Sequence, residues 1–218
     1  MLHFSSDTNA FLQRLANHND RGWFEANRAD YERAIKEPAE LFAMTMSAAL
    51  EAETGRYHNP KIFRIFRDIR FSKDKRPYNT HVRISFTSGQ GATAPGYFFS
   101  LEHDHLMLGA GVFGYKKTDL ERFRNLIHGE KGVELQKITA SLSGMGMRMS
   151  DPELRRVPAP FSADHPRAEL LCRKGLTVWI DDLDCRIAYG HDAIERCLTE
   201  FRKMMPLHDW MSNLSRET

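Results

Sequence analysis

The chain has 218 residues, 41% apolar and 28% charged, with 31 Lys and Arg against 29 Asp and Glu. That balance excludes a disordered chain and a protein that coats nucleic acid with its whole surface, so any anion preference must come from a local patch. The length suits one full hydrophobic core.

Cys172, Cys185 and Cys197 are too few and too scattered for a disulfide framework or a Cys-rich zinc site, and they fit a reducing compartment. The opening MLHFSSDTNAFLQRL lacks a basic segment followed by an apolar run, and no stretch approaches ~20 apolar residues. A cytoplasmic protein with no membrane segment is expected.

Ser5, Ser6 and Asp7 offer N-caps for a first helix with Phe11, Leu12, Leu15 and Ala16 on one face. Asn19 or Asp20 can cap a second, through Trp23, Phe24, Asn27, Tyr31, Ala34 and Ile35. Pro38 ends or kinks it and opens a third, with Leu41, Phe42, Met46 and Leu50 facing the core. The texture then becomes extended. Ile62 to Phe66 reads as a short strand, Arg67 to Thr80 as an ordered loop, and His81 to Thr87 as an alternating strand. After the turn SGQGATAPG, Gly96–Glu102 and Leu106–Phe113 form a hairpin around His103–Asp104–His105.

Helices follow from Lys116 to a stop at Gly129 and from about Gly132 to Leu142. The next segment is irregular, with a short helix after an Asp164 cap. Gly175–Ile180 reads as a strand, Asp181–Asp184 as a turn, and Asp192–Met204 as a helix broken by Pro206 before a last short one. The expected fold is a single α+β domain over residues 1–218, with a central antiparallel sheet of at least three or four strands flanked by N-terminal and C-terminal helices.

The run KIFRIFRDIRFSKDKRPYNTH, Lys61 to His81, stands apart. It holds Lys61, Arg64, Arg67, Arg70, Lys73, Lys75 and Arg76 against Asp68 and Asp74, a balance of +5 in a chain of +2. Phe63, Ile65, Phe66, Ile69, Phe71 and Tyr78 alternate with the charges, which suggests cations on a partly buried framework. Together with GWFEANRADYERAIKEP before it and RRVPAPFSADHPRAELLCRKGLTV after it, this run resembles the domain-of-unknown-function 2461 family, found in bacteria and fungi. The resemblance spans about Asn17 to Trp210 and does not extend clearly to the tract from Gln90 to Pro95. It makes the basic run the centre of the family and brings no activity, cofactor or catalytic residue with it.

Extended backbone from Ile62 would point Arg64 and Phe66 one way and Phe63 and Ile65 the other. Arg forks grip carboxylate or phosphate oxygens in pairs, and Lys acts as a point charge. Arg64, Arg67, Arg70, Lys73, Lys75 and Arg76 are therefore the ligand-binding candidates, with Arg67 and Arg70 foremost. The competing reading has Asp68, Asp74, Glu25, Asp30 and Glu32 consume these cations to pin helices to the sheet. His81, kept neutral by the surrounding cations and oriented by Asp68 or Asp74, could act with Tyr78 and Asp68 in acid–base chemistry.

His103-x-His105 resembles a metal pair but has no third ligand at a suitable spacing, so no metal is expected. Arg155, Arg156, Arg167, Arg173 and Lys174 form a second basic group that could fold over the first. Gly109-x-Gly111 with Gly114 could form an anion nest at a strand-to-helix junction. Walker, dinucleotide, nucleophile-elbow, HExxH and CxxC motifs are missing from the sequence, and no cofactor is expected. The sequence thus points to a protein that binds a small anionic ligand, with a nucleic-acid backbone as one version. The alternatives are an enzyme acting on such a ligand, or a docking protein for an acidic partner.

Overall fold

The computed structural model describes residues 3–89 and 94–214. The middle of the expected turn SGQGATAPG, residues 90–93, lies outside them. The fold is α+β, with helices at both ends of the chain and a six-stranded antiparallel sheet in the order β1-β2-β3-β4-β6-β5. The strands are β1 (Asn59–Ile62), β2 (Val82–Thr87), β3 (Gly96–Leu101), β4 (Leu106–Val112), β5 (Arg148–Met149) and β6 (Leu176–Leu183). Contacts gather the chain into two compact units. One is Met1–Phe86, Phe98–Leu108 and Asp182–Glu200; the other is Thr87–Tyr97, Gly109–Asp181 and Phe201–Thr218.

In the first unit, Ser5 caps α1 (Ser6–Asn17) through a reciprocal box with Thr8, and Phe11, Leu12 and Leu15 are buried, as their spacing predicts. Asp20 caps α2 (Arg21–Ala26) by accepting from Trp23 N at 2.9 Å. The chain continues through α3 (Arg28–Tyr31) and a π-turn, Glu32–Lys36, into α4 (Glu37–Thr54). Pro38 stands in the first turn of α4, as expected, and the irregularity before it is the π-turn rather than a break. The proline has no N–H for the carbonyl four residues back, that of Ala34. The buried hydroxyl of Thr8 donates to that carbonyl at 2.8 Å instead. Phe99 of β3 completes the core, with ring centroids 4.6 Å from Phe42 and 5.7 Å from Phe4.

In the second unit, α5 (Lys117–His128) buries Phe123 and Ile127, and α6 (Lys131–Gly144) follows. The segment expected to be irregular contributes β5, whose Arg148 and Met149 face Trp179 and Val178 of β6. Asp181 is not in a turn: β6 runs on through it, and Arg148 grips it with Nε and a terminal nitrogen at 2.6 and 2.7 Å. Asp164 caps no helix. The short α7 begins at Ala168, and His165 Nδ1 accepts from Arg167 N. Pro206 lies inside one continuous α8 (Ala193–Asn213) rather than between two helices. Met204, Leu207, His208, Trp210 and Met211 are all buried around it, and that packing outweighs the backbone bond that proline removes.

The glycines of β4 serve packing rather than an anion nest. A Cβ on Gly109 would meet the Trp179 ring at 2.6 Å, and one on Gly111, at φ 133°, would meet the Leu176 carbonyl oxygen at 2.1 Å. Both lie within the strand, not at a junction.

Candidate anion-binding loop

The basic run folds in a way its alternation does not reveal. β1 ends at Ile62, and Phe63 N makes a last bond to the Arg83 carbonyl at 2.9 Å. From there the chain pairs with its own return limb instead of continuing along β2. Phe66 and Tyr78 face each other in an antiparallel bridge, closed by Arg67 N to Pro77 O (2.8 Å) and Asn79 N to Ile65 O (2.7 Å). The strand expected at Ile62–Phe66 is thus displaced to Asn59–Ile62, and the loop beyond it is ordered, as expected.

Asn19 pins the return limb. Its side-chain amide donates to the Tyr78 carbonyl and accepts from the Tyr78 N–H, each at 3.0 Å. The sequence offers Asn19 only as a helix cap, because nothing local announces a partner 59 residues away. Tyr78 itself is buried, its ring stacked 4.1 Å from Phe24 and tilted against Phe66 at 5.3 Å. Burial pushes its phenol up, with Glu25 adding to the shift.

The two aspartates organise the loop's charges. Arg76 forks onto Asp74, and Arg67 reaches the same carboxylate at 2.7 Å while also donating to the Arg76 carbonyl at 3.1 Å. The Arg76 and Arg67 guanidiniums hold the Asp74 carboxyl well below the usual carboxylate range. Arg70 forks onto Asp68 at 2.9 and 2.7 Å, lowering that carboxyl too. Lys75 donates to the Ile69 carbonyl at 3.1 Å. Among the described residues, the Arg64 guanidinium and the Lys73 ammonium join no ion pair, and both side chains are exposed. The helix acids take no part: Asp30 pairs with Arg14 and Arg33, Glu25 with Arg28, and Glu32 with Lys36.

The aromatic residues are not the buried framework their alternation suggests. Ile65 and Tyr78 are buried, but Phe63 and Phe66 are half exposed and Phe71 is 96% exposed. Phe63 therefore does not share a buried face with Ile65. A cationic loop held by its own carboxylates, with aromatic rings left in water, lies within the region matched by one family model. That model is described as a conserved hypothetical protein (DUF2461), and it matches residues 7–210. The chain belongs to the DUF2461 family. No curated protein matches it.

Elsewhere in this DUF2461 chain, His81 has Glu102 as its nearby carboxylate, with Nδ1 3.7 Å from Oε1, rather than Asp68 or Asp74. Burial depresses its pKa, Arg83 adds to the effect, and Glu102 opposes it. Ser100 donates to the same Glu102 oxygen at 3.0 Å and accepts from Arg83 at 3.2 Å. Glu102 is the partner that sequence reasoning missed, since only β2–β3 pairing brings it near. His103 and His105 both face Asp104, and among the described residues no group of three or more His, Cys, Asp or Glu could hold a metal ion.

Two members of the second basic group, Arg167 and Arg173, perform structural work. Arg167 donates to the carbonyls of Ile127, His128 and Gly129 at the end of α5, and Gly132 leaves room for it. Arg173, almost fully buried, donates to the Ser150 carbonyl and to Glu169. No helix among the described residues is long and apolar enough to cross a membrane.

Proposed function

We propose that this protein binds an anionic ligand, carrying phosphate or carboxylate groups, on the surface of the Arg64–Arg76 loop. The observation that carries this reading is the division of labour within the loop. Two aspartates fix the conformation, and six cationic side chains against those two leave a surplus of four positive charges on an ordered, exposed surface. Pairing with aspartate does not exhaust the guanidiniums. Each has five N–H donors, and Arg70 gives two side-chain groups to Asp68. Arg64 and Lys73 are the leading contacts, with Arg70 beside them, whereas Arg67 belongs to the frame that holds the loop. The proposed setting is the cytoplasm, supported by three unpaired cysteines.

Charge reversal at the two cations outside the frame tests this. The double variant Arg64→Glu, Lys73→Glu should keep the wild-type circular dichroism and thermal midpoint. It should bind labelled linear polyphosphate at least about tenfold more weakly at low salt, as expected when local positive charge is inverted. Equal binding by the two proteins would reject the assignment of the surface.

A further inference from the structure

We propose that the ligand of this surface is single-stranded nucleic acid, with its phosphates met by the loop's cations and its bases stacked on Phe63, Phe66 and Phe71. The inference rests on the anion-binding reading above and names the ligand class. Exposed phenylalanines are the observation an inorganic anion or a simple carboxylate leaves unexplained, because such ligands have no apolar face to cover them. A duplex keeps its bases inside the stack and offers mainly phosphates. A single strand offers both a charged backbone and open π-faces, and aromatic side chains in a basic groove are the usual means of holding it.

The local geometry fits that chemistry. Phe66 is fixed by Phe24, 5.9 Å away and edge-on, and by Tyr78, yet half of it stays in water. A rigid ring loses little freedom when a base stacks on it. Lys61 Nζ lies 5.1 Å from the Phe63 centroid, and the Arg70 guanidinium carbon lies 6.0 Å from that of Phe71. Each of these rings therefore has a cation one side chain away, which suits the alternation of base and phosphate along a strand. An anionic bilayer would also accept cations and phenylalanines. It needs several apolar side chains that project into the acyl boundary; Phe71 projects, but Phe63 and Phe66 are half covered and offer area to stack on with little depth to insert.

The test is fluorescence anisotropy with the full chain and a labelled oligothymidylate of about 20 nucleotides, longer than site sizes of ~4–16 nucleotides. Unlabelled polyphosphate, duplex of equal length and phosphatidylserine vesicles serve as competitors. Phe71→Ala is the main variant because its ring is almost wholly in water and the fold does not depend on it; Phe63→Ala is the second. Stacking is worth about 5- to 150-fold per base, so each variant should bind the oligonucleotide at least about fivefold more weakly while binding polyphosphate unchanged. Polyphosphate and oligonucleotide bound equally, with neither variant altering either, would overturn the nucleic-acid assignment and leave the anionic surface standing. Duplex preferred over single strand would overturn it too. Vesicle binding lost in Phe71→Ala, with no oligonucleotide binding, would replace it with a membrane surface. No binding of any anion would remove both readings together.

Discussion

Arg67 reaches across its own loop to Asp74, with a terminal nitrogen 2.7 Å from Oδ2, and Asp74 in turn anchors Arg76. This clamp across the loop therefore rests on one carboxylate that stays charged. Its pKa lies below that of an unfolded chain, so the clamp is fully present at neutral pH and is lost only as pH falls well below the ordinary carboxylate range.

Asp74→Asn should release the loop without unfolding the protein. Hydrogen exchange at the Arg67 and Asn79 amides, which close the bridge, should accelerate at least about tenfold, as for a local opening. The global thermal midpoint should stay near wild type. Unchanged exchange at those amides would show that the Asn19–Tyr78 pin suffices alone.

Gly111→Ala should be among the more damaging small substitutions in the chain. The added methyl meets the Leu176 carbonyl, and φ 133° disfavours any side chain. Overpacking alone costs about 1–3 kcal/mol, so the urea midpoint should fall by at least that equivalent. Gly114→Ala, where nothing lies within 4 Å, should change it little and serves as the control.

These cases show which parts of the molecule the sequence makes legible. Helices with strong caps and one apolar face, such as α1 with Ser5, Phe11 and Leu15, are readable because their causes are local. So are β2, the β3–β4 hairpin and the ordering of the Arg67–Thr80 loop. Asn19 on Tyr78, Thr8 on the Ala34 carbonyl and Glu102 on His81 stay hidden because each joins segments distant in sequence. Pro206 misleads for a related reason: the proline signal is local, and the packing that overrides it is not. In the basic run, alternating aromatic and charged residues suggest two faces of a strand. The chain instead pairs with itself and leaves Phe71 in water.

His58 should make stability fall as pH drops. It is fully buried, with Nε2 2.9 Å from the Thr54 hydroxyl, and burial lowers its pKa to about 4, with Arg56 adding to the shift and a bond to the Phe86 backbone opposing it. The unfolded chain binds the proton first. Its contribution is therefore complete above about pH 6.5 and declines toward pH 4, with a slope of at most about 1.36 kcal/mol per pH unit for one group. His81 acts in the same direction. Urea midpoints between pH 7 and 4.5 should decrease, and His58→Gln should flatten the slope whatever it does to absolute stability. An unflattened slope would place the titration elsewhere.

The most direct measurement of the central claim is the salt dependence of oligonucleotide binding by the wild-type protein. A surplus of four cations on the Arg64–Arg76 loop should displace counterions from about four phosphates. For a single strand, the logarithm of affinity then falls against the logarithm of salt with a slope of about −3. That slope should move toward zero by about 0.7 for each loop cation replaced by a neutral residue, Arg64→Gln and Lys73→Gln first. A slope near zero, or one that neither substitution changes, would contradict the account.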